Sequence, residues 1–330
     1  VGAITNVDVK DLQTPATSIP NMLGGRVPGI ISLQNSGEPG KNISEFWVRG
    51  IGTFGANQGA LVLIDGLEGS LSQIDPADIE SFSVLKDASA TAIYGARGAN
   101  GVIMVTTKRG KKDGEGVQVS YQGSVSASHI ARKMDTMNAQ EWCDAFMQGI
   151  ENENRWGSDK DGNPFNWSTN RADWFTDRRF FDSNGNPLYD TDWQDEATRT
   201  AISHNHQLNV QQGGEKSSMG AFLNYTDNQG IMLNTYSKRL NAKIAYDANP
   251  TTWLSTAINL AVNHTWGNST PEDGGGQDAR RTMIEMVPWM PVQYNGKYTS
   301  TNTPEGMPMD FEAMSNPVHI LKTYKNMNYN

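Results

Sequence analysis

Apolar and polar residues alternate strictly along residues 117–127, where Val, Tyr, Gly and Ala stand at the odd positions and Gln and Ser at the even ones. A period of two residues predicts a β-strand with one apolar and one polar face. Similar runs cover residues 204–212, 218–226, 238–246 and 253–263. The second part of the chain is therefore expected to form a sheet with two unlike faces.

The run at residues 238–246 gives the most information on whether each face of the sheet meets lipid or water. Leu240 and Ile244 share one parity with the other apolar residues, whereas Arg239 and Lys243 share the opposite parity. An Arg or Lys on the lipid face costs about 2–4 kcal/mol at the bilayer centre, so in a membrane these cations must face a watery lumen. A soluble sheet with one wet face would show the same alternation, and periodicity alone leaves both interpretations open.

The connections between the runs favour the membrane interpretation. Short links at residues 213–217 and 247–251 alternate with long ones at residues 128–203, 227–237 and 265–330. Tight turns at one end and long loops at the other are typical of an outer-membrane β-barrel. Because the smallest such barrels have about eight strands, five runs cannot close one, and we expect the chain to be the amino-terminal part of a longer protein.

The first 112 residues follow a different pattern. Short apolar runs rich in β-branched residues lie at 30–34, 46–50, 61–65, 79–86 and 102–108, separated by Gly and Pro. They predict the strands of one small mixed sheet, with two short helices between them. In the second helix Asp87 is expected to cap the free amides and Gly95 to end the helix in a left-handed conformation. The expected domain is a compact α+β unit.

Composition excludes several classes of protein. The net charge of −9 and pI of about 5.1 argue against a nucleic-acid partner, because no basic stripe is available to neutralise phosphates. The mean hydropathy is −0.56, and no apolar run approaches the ~18 residues of a transmembrane helix. Cys143 is the only cysteine, which rules out an internal disulfide and a cysteine zinc site.

Motifs that suggest catalysis or metal binding are weak. Residues 95–101, GARGANG, lack the Lys-Ser/Thr ending of a phosphate loop and are interpreted as a turn. Residues 159–164 and 183–187 are similar to calcium loops, but proline replaces a required residue and no bidentate Glu follows, which favours tight turns. His204 and His206 share the parity of Leu208 and are expected near the outer rim. No catalytic residue, metal or cofactor is predicted.

Five motifs stand in a characteristic order: LGGRVPG at 23–29, VRGIGTF at 48–54, VLIDG at 62–66, DIESFSVLKDASATAIYG at 78–95 and GANGVIMVTTKRG at 98–110. In order and spacing they resemble the plug domain of TonB-dependent outer-membrane transporters, in particular the SusC/RagA-like family. The resemblance implies an outer-membrane β-barrel of about 22 antiparallel strands with an α+β plug in its lumen. Residues 1–112 would be the plug and residues 113–330 the first barrel strands with their long extracellular loops.

The same resemblance implies a function. Members of the family import oligosaccharides or peptides across the outer membrane of Bacteroidetes with a SusD-like surface lipoprotein. Oligosaccharides are the expected cargo here, and a dimer of such pairs is expected. The TonB–ExbB–ExbD complex supplies the energy by pulling on a TonB box, which would lie ahead of Val1. Outer-membrane lipid would surround the barrel. A peptide importer of the RagA type is the nearest alternative, and a surface glycan-binding protein that does not transport is the alternative from another class.

A plug that blocks a wide lumen and still moves under force is expected to touch the wall through polar contacts. The candidate residues for these contacts are Arg26, Arg49, Asp65, Lys86, Asp87, Arg97 and Lys108. Each could instead be a solvated or capping residue, and for Asp87 the capping role is favoured.

Plug loops that reach into the cavity are expected to touch substrate. Phe54 could stack on a sugar ring, and Asn57, Gln58, Glu68 and Ser70 could hydrogen-bond its hydroxyls. The loop at 128–203 holds five of the nine tryptophans, of which Trp156 and Trp174 are the substrate candidates. The alternatives are ordinary loop polarity and a small loop core, since helical spacing at residues 141–150 would bury Trp142 and Phe146.

Overall fold

The computed structural model describes residues 4–7, 19–41, 44–48, 59–87, 91–110, 116–270, 278–300, 315–325 and 327–329. These residues form a small α+β domain, here called the plug, and a six-stranded antiparallel sheet, here called the wall. Helices of two long loops cover one end of the wall. The expected fold class is confirmed in both parts.

The plug contains strands β1 (Ile4–Val7), β2 (Ile30–Leu33), β3 (Glu45–Val48), β4 (Leu61–Ile64), β5 (Leu67–Glu68), β6 (Ile79–Leu85) and β7 (Val102–Thr107). Five of them form a mixed sheet in the order β1-β6-β7-β4-β5, in which β4 and β7 run parallel. The prediction of a single sheet was wrong, because β2 and β3 pair only with each other as an antiparallel ribbon. Strand β1 was not predicted, since four residues are too few to show a period.

Apolar side chains from both faces of the mixed sheet form the plug core. Helix α1 (Ile19–Leu23) buries Ile19 and Leu23 completely against this core. Phe82 and Val84 of β6 and Ile103 of β7 are at most 1% exposed. The apolar runs at 79–86 and 102–108 are therefore the central strands of the sheet, where neighbours cover both faces.

The turn after β6 differs from the expectation. Residues Ala92–Gly98 form two short 3₁₀ turns that meet at Gly95, so a second turn follows the glycine. Gly95 has φ 59° and ψ −146°, so it is the kink between two short helical turns and not a terminator. Positive φ at this position was correctly expected from glycine.

The wall consists of β8 (Val117–Ser128), β9 (Ala201–Gly213), β10 (Ser217–Gln229), β11 (Tyr236–Thr251) and β12 (Leu254–Asn268). A small hairpin of β13 (Gln293–Tyr294) and β14 (Lys297–Tyr298) stands apart, and β15 (Met327–Tyr329) pairs with the end of β12. The sheet order is β15-β12-β11-β10-β9-β8, so β8 to β12 pair with their neighbours in sequence, whereas β15 joins β12 across the β13–β14 hairpin. Strands β9 to β12 extend past the predicted runs because polar residues continue the alternation at their ends.

Register fixes which side chains share a face of the wall. Leu223 lies opposite Leu208 and Ala242 on the outer face, and Asn224 lies opposite Asn241 on the face toward the plug. His204 and His206 lie on the outer face, where the His204 ring is 5.9 Å from that of Tyr225. Apolar positions face away from the plug and polar positions face it, as a barrel wall requires.

The long loops contain their own helices: α2 (Ala139–Trp156), α3 (Arg171–Trp174), α4 (Trp193–Ala197), α5 (Ala279–Glu285) and α6 (Pro317–Thr323). Helix α2 begins with a capping box, in which the Asn138 side chain accepts from the Glu141 N–H and the Glu141 carboxylate accepts from the Asn138 N–H. In the part of the chain that the structure describes, no helix is long and apolar enough to cross a membrane.

Candidate functional site between plug and wall

A buried ion pair joins the plug to the centre of the wall. Arg239 of β11 lies 3.0 Å from the Asp75 carboxylate, and the two side chains are 13% and 3% exposed. Asp75 is placed by a turn between two 3₁₀ segments, Leu71–Gln73 and Pro76–Asp78. The alternation of β11 aims Arg239 at the plug, so the sheet itself positions the cation.

A second buried cation, Lys243, follows four residues after Arg239 on the same strand and on the same face. The Lys243 side chain is 7% exposed and donates to the Thr107 hydroxyl and, at 2.9 Å, to the Lys108 carbonyl. Its ammonium also lies 5.5 Å from the centre of the Phe222 ring. Lys243 thus holds the end of β7, the last strand of the plug.

Asp65 connects the same strand end to the next strand of the wall. Its carboxylate accepts from the Thr107 N–H at 2.9 Å and the Thr107 hydroxyl at 2.5 Å, and from the Asn259 amide of β12 at 2.8 Å. Asp65 has φ 49°, which the turn between β4 and β5 requires. The turn therefore places one carboxylate within reach of both plug and wall.

The chain leaves the plug in direct contact with the wall. Arg109 pairs with Asp247 of β11 at 2.8 Å, and the Gln211 amide of β9 donates to the Arg109 carbonyl at 2.9 Å. A Cβ on Gly110 would lie 2.5 Å from the backbone nitrogen of Met219. Only glycine allows this approach, which explains the Gly after the last basic residue of the motif.

The environment of Asp78 is unusual for a carboxyl group. The residue is 8% exposed and its pKa is raised to about 6, first by burial and then by the nearby Asp75 charge. Lys243, Lys108 and Arg239 oppose this rise without cancelling it. The plug side of the interface therefore contains an acid that takes up a proton near neutral pH.

Of the residues predicted to join the plug to the wall, some contact the wall and others bond within the plug. Asp65 contacts Asn259 of the wall, and Lys108 offers its carbonyl to Lys243. Lys86 donates to the Pro28 carbonyl and Arg97 pairs with Glu68, so these bonds join parts of the plug. Arg26 is exposed beside α1, and the Asp87 carbonyl accepts from the Thr91 N–H at 3.0 Å. Arg49 lies outside the described residues.

Sequence reasoning missed several residues of this interface. They are Asp75, Asp78 and Arg109 of the plug and Asp247 and Asn259 of the wall. The sequence did contain a signal for Asp75 and Asp78. The parity of Arg239 and Lys243 requires acidic or carbonyl partners inside the lumen, and the plug motif IDPAD at 74–78 offers two carboxylates.

The substrate candidates are placed differently from one another. Phe54, Asn57 and Gln58 lie outside the described residues. The Glu68 carboxylate pairs with Arg97, and the Ser70 hydroxyl accepts from the Ser72 N–H at 3.3 Å, so both side chains have partners within the plug.

The two tryptophan candidates also differ in exposure. Trp156 is 80% exposed, with the Arg155 guanidinium 5.6 Å from its ring centre. Trp174 is half-buried, packs edge-on against Phe146 at 5.6 Å and donates to the Ser168 carbonyl at 2.7 Å.

Aromatic residues of the two loops build a core of their own. Trp142 stacks on Phe146 with ring centres 5.9 Å apart, and Trp193 is 3% exposed and donates to the Val287 carbonyl at 3.0 Å. Trp289 is 1% exposed within the same cluster. A cavity of about 500 Å³ lies between residues 135–142, residues 190–193 and α5. The loops are thus a folded module on top of the wall.

Two turns of this module share one geometry. The Asp159 carboxylate accepts from the N–H groups of Asp161 and Asn163, both at 2.9 Å, and Asp182 does the same with Asn184 and Asn186 at 2.8 Å. These hydrogen bonds lower the pKa of both aspartates. Backbone N–H groups on one carboxylate oxygen, and the side-chain amides of Asn163 and Asn186 on the other, occupy the oxygens that a calcium ion would need. Among the described residues, no group of three His, Cys, Asp or Glu side chains could hold a metal.

The geometry defines a class: a small α+β plug held by polar contacts against the lumen face of an outer-membrane barrel wall. The family described as TonB-dependent Receptor Plug Domain matches residues 1–102. TonB-dependent receptor SusC of Bacteroides thetaiotaomicron is 35% identical over 238 residues, which are 69% of this chain and 21% of that protein. TonB-dependent receptor P3 of Formosa agariphila is 30% identical over 312 residues, 91% of this chain and 27% of that protein.

Solved structures agree on the fold. The RagAB peptide importer in its closed-closed state matches 96% of this chain and 36% of its own, with 24% identity and a TM-score of 0.77. In its open-open state the TM-score is 0.73. The chain belongs to the SusC/RagA-like TonB-dependent transporters of the outer membrane, and it spans about a fifth to a quarter of the length of these curated relatives.

Proposed function

We propose that this chain is the plug and the first part of the wall of a transporter that imports oligosaccharides across the outer membrane. The observation that carries the proposal is the chemistry of the contact between plug and wall. Asp75, Asp65, Thr107 and the Lys108 carbonyl meet Arg239, Lys243 and Asn259 through charged and polar groups. Such contacts hold a plug in register and can be exchanged for contacts with water as it moves.

Energy for this movement would come from the TonB–ExbB–ExbD complex, which pulls on a segment ahead of the plug. A SusD-like lipoprotein would cover the extracellular mouth, above the module that contains α2 to α6. Pairs of transporter and lipoprotein would form a dimer in the membrane. The family relationship supports each of these partners.

Oligosaccharides are the favoured substrate class. The similarity to SusC supports this choice, as does the exposed indole of Trp156, because aromatic faces stack on sugar rings. Within the plug the proposed contacts are Phe54, Asn57, Gln58, Glu68 and Ser70, and within the loops Trp156 and Trp174. For Glu68 the proposal requires that substrate competes with Arg97 for its carboxylate.

Peptides are the second candidate, supported by the likeness of the fold to the RagAB peptide importer. A third possibility is a surface glycan-binding protein that does not transport. The test uses the full-length transporter in its native outer membrane and compares uptake of labelled oligosaccharides with uptake of labelled peptides of similar size. Saturable oligosaccharide uptake that is lost on deletion of the gene supports the proposal. Uptake of peptides alone selects the second candidate, and glycan binding without uptake selects the third.

A further inference from the structure

One loop of the plug contacts the end of the wall that carries the long loops, just beyond the ion pair of Asp75 and Arg239 along β11 and β12. Residues 34–41, here called the docking loop, lie between β2 and β3. Internal hydrogen bonds shape it: the Glu38 N–H donates to the Ser36 hydroxyl at 3.1 Å and the Lys41 N–H to the Glu38 carbonyl at 3.0 Å. These bonds turn the side chains of Glu38 and Lys41 toward the wall.

Two side chains of the docking loop bind all the polar groups of one wall residue. Thr270, which follows β12, is 1% exposed. Its N–H and its hydroxyl donate to the two oxygens of the Glu38 carboxylate, the latter at 2.7 Å, and its carbonyl accepts from the Lys41 ammonium at 2.7 Å. Charge-assisted bonds in a buried setting are the strong kind of hydrogen bond. These three bonds therefore fix both the position and the orientation of Thr270, which loop packing alone would not do.

Thr270 also begins the long loop that carries α5 and α6. Next to it, the Asn268 amide donates to the Asn234 carbonyl at 2.7 Å and to the Tyr324 carbonyl at 3.4 Å, and the Asn234 amide donates to the Leu321 carbonyl of α6 at 3.0 Å. Leu321 packs with Ala279 of α5 and Ala197 of α4 in one apolar cluster. A continuous set of contacts thus leads from the docking loop to the helices of the extracellular module.

We infer that Glu38 and Lys41 are positioning residues that couple the plug to the extracellular module through Thr270. With the plug seated, the docking loop fixes the start of the module's long loop. When the plug moves, the three bonds to Thr270 break together and α5 and α6 lose a restraint. Because coupling is reciprocal, a change in the module also alters how firmly the plug is held. This inference rests on the proposed function, in which the plug moves.

A reversible cross-link tests whether the docking loop must leave the wall. A Cβ built on Gly40 lies 3.6 Å from the Cβ of Ser237 in β11, within the range that a disulfide needs. In the full-length transporter, Gly40→Cys combined with Ser237→Cys is expected to reduce substrate uptake at least tenfold when oxidised and to regain it on reduction. Each single cysteine variant is the control, and Gly40→Cys alone measures the strain of a side chain at φ 83°, while the native Cys143 is buried and does not interfere. Undiminished uptake by the fully cross-linked protein would overturn the inference.

Hydrogen exchange tests the coupling without relying on transport. In the full-length protein, Glu38→Ala and Thr270→Val should each speed amide exchange in α5 and α6 at least fivefold, whereas Glu45→Ala, an exposed plug carboxylate on β3, should not. If amide exchange in α5 and α6 is unchanged in both variants, the coupling is refuted, whether or not uptake is normal. If the wild-type protein takes up no substrate but exchange rises as expected, the proposed function fails and the coupling stands.

Discussion

At the scale of single residues, the buried carboxyl of Asp78 gives the plug a dependence on pH. Its pKa of about 6 in the folded protein exceeds the ordinary value of 3.8, so the folded state binds a proton more tightly than the unfolded state. Between these two values stability falls as the pH rises, and above pH 6 the full penalty of the buried charge is present. A difference of about two in pKa corresponds to roughly 3 kcal/mol.

Replacement of this carboxyl by an amide should remove the penalty. In the full-length transporter in detergent, Asp78→Asn is expected to raise the unfolding temperature relative to wild type at pH 8 and to leave it unchanged at pH 4. Asp161→Asn, in an exposed turn, is the control and should match wild type at both values. A lower unfolding temperature for Asp78→Asn at pH 8 would show that the ionised form of Asp78 stabilises the protein.

The tryptophans of the loop module should differ in their effect on stability according to how deeply each is buried. Trp193→Ala removes a side chain that is 3% exposed and is expected to destabilise the module by about 3–5 kcal/mol. Trp156→Ala, at a position that is 80% exposed, should change stability by about 0.5 kcal/mol or less. Exchange rates of the amides in α4 measure both effects. Equal losses in the two variants would contradict the arrangement of the loop core.

At the scale of secondary-structure elements, the sequence predicted some features and could not predict others. The parity of Arg239 and Lys243 indicated which face of β11 meets the lumen, because one strand carries that information locally. The separation of β2 and β3 from the main sheet was not predictable, since pairing depends on distant partners. Asp75, the acid that pairs with Arg239, was missed for the same reason.

The ion pair between β11 and the plug should be energetically coupled. In a double-mutant cycle with Asp75→Asn and Arg239→Met, we expect a coupling energy of about 1–3 kcal/mol, because both side chains are largely buried. The more exposed pair of Lys133 and Asp195 provides the matched control and should give about 0.5 kcal/mol. The free energy of unfolding of each variant is measured by urea denaturation, with the amide signals of β6 reporting on the plug. Equal coupling in the two pairs would mean that burial adds nothing at the plug contact.

At the scale of the whole molecule, plug and wall share a polar boundary and the module above the wall has its own apolar core. The wall presents apolar residues outward, as in the row of Leu208, Leu223 and Ala242, and charged or amide residues toward the plug. Apolar burial therefore stabilises the plug and the module internally, while the described contacts between plug and wall are directional polar bonds. This division suits a plug that moves as a unit without unfolding the wall.

The most direct test of transport is the accumulation of a labelled oligosaccharide in the periplasm of cells that carry the full-length protein, with TonB present or deleted. The account predicts saturable accumulation that falls to the level of the transporter deletion when TonB is removed, while binding of the oligosaccharide at the cell surface persists. Accumulation that continues undiminished without TonB, or recovery of the protein as a water-soluble binder, would contradict it.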